Sequence, residues 1–194
     1  SSGTRNRILN IGKKRTSSDS TAKNFFIRTG NSDNNPQLQW YMPPKTYHET
    51  AAFYNDALTH GEFVHIVLTA EDPKDLFCYK NGKLVEFSPE VGSHYYNIME
   101  EPARVTHSNP EFGDSDPETG DLDCILSYVR IWDGKVISPN EAEVLYTFRE
   151  YKNWDFSTKP SYDWDFRNSI NSEQVYDVIN GIAAVPFEGA YLDE

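Results

Sequence analysis

Hydrophobic and polar positions alternate over residues 63–69 (FVHIVLT). Val64, Ile66 and Leu68 fall on one side of an extended chain, and Phe63, His65 and Val67 on the other. Both sides carry apolar groups, which predicts a strand inside a sheet. A polar break follows. Residues 75–87 (DLFCYKNGKLVEF) then read as a hairpin turning at Asn81-Gly82, a pair suited to the positive φ angles of a type I′ turn. That turn sets Cys78 opposite Val85 and Leu76 opposite Phe87, four residues on one apolar face. Residues 124–132 form another predicted strand, closed by Asp133-Gly134. Ser138 can cap a helix, Pro139 suits its first position, and Glu141 stands three residues after the cap, which together make a capping box. Ala142, Leu145, Phe148 and Lys152 continue at helical spacing with Val144 alongside, so the helix is predicted to run to about Tyr151.

The remaining pattern is one of short strands between turn clusters. Residues 7–11 (RILNI), 24–28 (NFFIR, closed by Gly30) and 38–42 (LQWYM, stopped by Pro43-Pro44) are predicted strands, with NSDNNP as a turn. Residues 50–58 lean to strand. Residues 88–122 are irregular, with one candidate strand at 95–99, and a loop of that length is often functional. Two WDF triplets, at 154–156 and 164–166, fit either aromatic packing on a sheet edge or paired edge strands. The fold class this predicts is all-β: a two-sheet antiparallel jelly-roll sandwich with one short helix towards its end.

Composition narrows the function. At 194 residues the chain can bury a core without staples, and its 14% aromatic content suits strands. A net charge of −12 argues against nucleic acid, whose backbone recruits Lys and Arg, and against an anionic membrane surface. No apolar run approaches the ~20 residues of a membrane-spanning helix. Residues 1–15 are polar and basic, unlike a signal peptide. The two cysteines do not make a disulfide framework. Cys78 belongs to the apolar hairpin face, with an inert thiol, whereas Cys124 shares the more polar face of its strand, so a bridge between them is not expected.

Three phrases in order carry a resemblance. His65-Ile66-Val67-Leu68-Thr69 with Tyr79-Lys80-Asn81-Gly82-Lys83-Leu84-Val85 is similar to the "strand, then L-Y-x-N-G-K-x" phrase of laminin G-like domains, which belong to the concanavalin A-like lectin/glucanase superfamily. Val129-Arg130-Ile131-Trp132 with Ser138-Pro139-Asn140-Glu141 and Val144-Leu145-Tyr146 resembles that family's closing "V-R-I-Y … L-S-P-E-E-I … L-Y", and residues 7–12 its "R-I-F-D-F-G" strand. The resemblance covers roughly residues 5–151, and residues 1–152 are read as such a sandwich lacking its usual opening strands. Residues 162–194 look like the missing opening, placed at the back after a linker from 153. A slice across two tandem repeats, a permuted domain and a processed piece completed by another chain all fit that order. In each case 162–194 is expected to supply strands to a sandwich, its own or a neighbour's.

The candidate chemistry is sparse. Asp114, Asp116, Asp121 and Asp123 place carboxylates around Gly120, and clustered carboxylates relieve their repulsion on a hard cation. Calcium is the candidate cofactor, and the resemblance permits it; a solvated acidic loop fits the same residues. The helix-loop-helix calcium pattern is not met, because position twelve would be Ile125. Trp40, Tyr41, Tyr47, Tyr95 and Tyr96 lie on or next to loops, where flat faces can stack on sugar rings or anchor a protein, or simply pack. No catalytic residue is assigned. The glucanases of the superfamily need two carboxylates projecting from one strand, and no such strand occurs. None of the five histidines shows metal spacing, and His65 is expected to be a hydrogen-bonded core residue. Recognition without catalysis is therefore the expected function. One form is a module for carbohydrate or glycoprotein, with calcium assisting. The other is a structural assembly protein, such as an extracellular repeat or a component of a viral or surface shell. An extracellular, cell-surface or virion location is implied in both.

Overall fold

A computed structural model describes residues 7–12, 24–32, 35–42, 50–54, 57–59, 61–70, 76–85, 111–112, 126–149, 159–168 and 175–186. This part of the chain is rich in strand, with antiparallel sheets and one short helix. The strands are β1 (Arg7–Gly12), β2 (Asn24–Ser32), β3 (Asn35–Met42), β4 (Thr50–Tyr54), β5 (Ile66–Ala70), β6 (Leu76–Lys80), β7 (Lys83–Val85), β8 (Glu111–Phe112) and β9 (Tyr128–Ile131). The helix α1 (Pro139–Thr147) follows, then β10 (Tyr162–Asp165), β11 (Val175–Tyr176) and β12 (Ala183–Pro186). Among the described residues no helix is long and apolar enough to cross a membrane.

The strands form a large sheet ordered β11-β12-β8-β1-β2-β3-β4, a three-stranded sheet β5-β6-β7 and a pair β10-β9. Among the described residues every strand pairing is antiparallel except β12 with β8. β2 and β3 run past the expected turn: Ser32 pairs with Asn35, so the hairpin closes tighter than NSDNNP suggests. The register of β1 on β2 shifts between Arg7 and Leu9. An extra residue there lets consecutive Ile8 and Leu9 both reach apolar neighbours.

Three apolar clusters stack these sheets. Leu38, Ala57 and Cys78, with Ile8, Ile27, Ile66, Leu68 and Val85 against them, join the large sheet to one face of β5-β6-β7. Val67 and Tyr79, on the other face, pack against Ile137, Ala142 and Leu145 of α1 and its lead-in. Leu9, Trp164 and Val175 join the large sheet to β9 and β10, and Ile27 touches both this cluster and the first. The three-stranded sheet is thus covered on both faces, by α1 and by the large sheet.

This arrangement corrects the mid-sheet expectation for β5. Among the described residues β5 lies at the edge of its sheet, paired with β6 alone. Apolar groups on both its faces report cover above and below, not neighbours to either side. At the tip of the hairpin Asn81 and Gly82 have φ of 51° and 78°, and Cys78 pairs with Val85 as the turn requires. Phe87, Cys124, the candidate strand 95–99 and the first WDF triplet lie outside the described residues.

The capping box at Ser138 is present: Ser138 Oγ accepts from the Glu141 N–H, and the Glu141 carboxylate accepts from the Ser138 N–H. The helix ends earlier than its apolar spacing suggests. Phe148 is its C-cap, with φ −112° and ψ 50°, and stands half exposed instead of continuing the buried stripe of Ala142 and Leu145. The Arg130 guanidinium donates to the Arg149 carbonyl at 2.6 Å and so satisfies an acceptor just beyond the last turn.

Candidate functional site

A group of charged and aromatic side chains lies on the seam between β9 and β10. Pairing sets Arg130 opposite Asp163 and Tyr128 opposite Asp165. Cross-strand partners project from the same face, so an arginine meets a carboxylate directly. Arg130 Nε donates to Asp163 Oδ1 at 3.0 Å, with both side chains almost fully buried. The second WDF triplet supplies this strand. Trp164 is core, stacked on Tyr162 at 5.6 Å, and its indole N–H donates to the Ile182 carbonyl.

Asp177 closes the seam from below. Its Oδ1 accepts from the backbone N–H of Asp163 at 2.6 Å and of Ile179 at 3.2 Å, and its Oδ2 from the backbone and side-chain N–H of Asn180, both at 2.8 Å. Four donors around one buried carboxylate hold the turn 177–180 against β10, and Gly181 leaves that turn at φ +69°. Asp163 and Asp177 are only 2% and 1% exposed, which leaves no room for a substrate between them. Burial pushes the Asp163 carboxyl above the ordinary carboxylate range, and the Arg130 charge only partly offsets this.

Above that base, two guanidinium groups meet one phenol ring. Arg130 lies 4.2 Å and Arg167 5.5 Å from the Tyr128 ring centroid. Arg167 also clamps Asp165 through two N–H···O bonds of 2.9 and 2.7 Å, which hold that carboxyl below its usual range. The His65 ring lies 6.1 Å from both the Tyr128 and the Tyr146 rings. His65 is not the hydrogen-bonded core residue expected of it: its backbone N–H reaches Asn81 Oδ1, but its ring Nδ1 is buried with no hydrogen-bond partner. What this surface offers chemically is stacking and positive charge at the rim, over a buried ionic base.

Of the candidate ligand-binding aromatics, Trp40 and Tyr41 lie in β3, paired with Ile27 and Ala52 and with Phe26 and Ala51. Tyr47, Tyr95, Tyr96 and the candidate calcium ligands Asp114, Asp116, Asp121 and Asp123 lie outside the described residues. Among the described residues no group of three or more His, Cys, Asp or Glu side chains is placed to hold a metal ion. The second WDF triplet and the V-R-I-W phrase drew attention to β10 and β9, but not to an ionic site between them. Asp177 sits in a local turn, accepting from the N–H groups two and three residues on, and nothing local signals its long-range bond to Asp163. Comparison with family models, with curated proteins and with solved structures returns no match to this chain.

Proposed function

We propose that this chain is a non-catalytic recognition module, a jelly-roll sandwich of the laminin G-like type that binds carbohydrate or glycoprotein outside the cell, at a cell surface or on a virion. One observation carries the reading. The two longest phrases of the resemblance, the Asn81-Gly82 hairpin and the Ser138-capped helix, are far apart in sequence yet pack on each other through Val67, Tyr79, Ile137, Ala142 and Leu145. A chance likeness of short phrases carries no such requirement. In this reading Trp40, Tyr41, Tyr47, Tyr95 and Tyr96 supply stacking surfaces. Asp114, Asp116, Asp121 and Asp123 hold a calcium ion that assists binding. The assembly alternative depends on strands exchanged between copies. One measurement decides between the two readings.

A glycan array probed in calcium and again in chelator tests the proposal. Binding that chelator abolishes supports the module with its cation. Binding that survives chelator keeps the module and removes the calcium. Silence on the array, together with stable self-association in sedimentation, overturns the reading in favour of assembly.

A further inference from the structure

The His65 ring sits where three elements meet. Its backbone is tied to the hairpin turn: His65 N–H donates to Asn81 Oδ1 at 2.9 Å, and Asn81 N–H returns a bond to the His65 carbonyl at 2.8 Å. Tyr128 of β9 and Tyr146 of α1 face the ring, each at 6.1 Å between centroids. Nδ1 is buried and has no hydrogen-bond partner. Among the described residues the charges that act on the ring are both positive: Arg149, just past α1, and Arg130 on β9. The acid beside Arg130, Asp163 on β10, is already bound to it. The neutral side-chain carbonyl of Asn81 is taken by the His65 backbone.

We propose that His65 is an acid-sensitive latch whose protonation loosens α1 and β9 from the β6–β7 hairpin. A neutral imidazole can leave Nδ1 as an idle acceptor. Protonation converts Nδ1 to a buried N–H donor and adds a third cation beside Arg130 and Arg149. The ring is only partly buried, and it is Nδ1 that is closed off. Both costs are relieved when the hairpin, α1 and β9 part enough for water to reach Nδ1. Burial first, and then the charges of Arg149 and Arg130, push the imidazole from its ordinary 6.5 down to about 4. The folded value lies below the unfolded one, so the unfolded chain takes up the proton first. Stability from this group is complete above pH 6.5 and is lost as the pH falls from there towards 4. At pH 5 the folding equilibrium constant falls about 30-fold through this group alone.

The test compares the wild-type chain with His65→Phe in urea denaturation between pH 7.5 and 4.5, and follows the His65 ring resonance of the folded wild type over the same range. The folding equilibrium constant of wild type is expected to fall about 30-fold more than that of the variant by pH 5, and about 70-fold more by pH 4.5. Its His65 ring should stay neutral at pH 5. Amide protection at Asn81 and Ile137, corrected for intrinsic exchange, should fall at pH 5 in wild type and hold in His65→Phe. Parallel pH curves, a ring titrating near 6.5 in the folded protein, or unchanged protection would each overturn the latch. If His65→Phe does not fold, the ring titration and the wild-type protection decide the matter.

Discussion

Gly82 lies against the backbone of Glu143: a Cβ built on Gly82 would stand 2.9 Å from the Glu143 Cα. The hairpin tip and α1 therefore meet at a distance that only glycine permits, in a conformation, φ +78°, that glycine also tolerates best. Gly82→Ala is expected to cost about 2–4 kcal/mol, from left-handed strain and overpacking together. Gly134 has a similar φ of +71° but nothing within 4 Å of a built Cβ. Gly134→Ala should cost only the strain, about 1–2 kcal/mol. Urea midpoints of the two variants measure the difference, and equal losses would remove the close approach as a cause.

The Arg130–Asp163 pair predicts an asymmetry. Arg130→Met leaves a buried carboxylate without its cation and should cost about 3–5 kcal/mol at neutral pH. The double variant Arg130→Met/Asp163→Leu removes both charges and should recover much of that loss. Burial already raises the Asp163 carboxyl, and loss of Arg130 raises it further. A carboxyl raised in the folded state destabilises the fold when ionised, and the penalty vanishes as the pH falls below the unfolded value. The Arg130→Met defect should therefore shrink on acidification. Thermal unfolding at neutral and acid pH, each relative to wild type, checks the sign.

How much of this was legible in the sequence divides by range. The Asn81-Gly82 turn and the Ser138 capping box were readable because their chemistry lies within four residues. The apolar faces of β5 were readable too, but their meaning was not: periodicity shows that both faces are covered, and cannot tell cover by another layer from pairing at both edges. The end of α1 was missed because Phe148 keeps helical spacing while Arg130, remote in sequence, takes the Arg149 carbonyl. The Arg130–Asp163–Asp177 base depends on the register of β9 against β10, which no local pattern contains. The aspartates at 114–123 were conspicuous as composition, and composition alone does not place oxygens around an ion.

Cys78 should behave as a core atom. It is fully buried between the large sheet and the hairpin, unpaired, and burial pushes its thiol up to about 12. A thiol held protonated and out of reach does not attack a disulfide reagent. In a Cys124→Ser background the folded chain should release no colour from an aromatic disulfide reagent within minutes, and release one equivalent in denaturant. Cys78→Ala should cost about 1–2 kcal/mol from the small cavity, and prompt labelling of the folded chain would contradict this packing.

The capping box offers a finer test, because its energy depends on one carboxylate. Glu141 accepts from the Ser138 N–H at 2.8 Å and pairs with Lys135 at 2.7 Å. Burial opposes its ionisation, but the bonds from Lys135 and Ser138 outweigh that and hold it below the ordinary 4.5. A carboxyl lowered in the folded state stabilises above its unfolded value, and that contribution is lost as the pH falls through the folded value. Ser138→Ala removes the acceptor for the Glu141 N–H and should cost about 1 kcal/mol at pH 7. Ser138 Oγ also donates to the Glu141 carboxylate at 2.9 Å, a bond that Ser138→Ala removes and that weakens in wild type once Glu141 is protonated. The gap between wild type and Ser138→Ala should therefore narrow at pH values below 4.5. Glu141→Gln, which keeps an acceptor but cannot ionise, should leave a Ser138→Ala penalty that stays flat across the same range. Helix-region amide exchange and urea midpoints together read both effects, and a gap independent of pH in all backgrounds would show that the Glu141 charge plays no part in the cap.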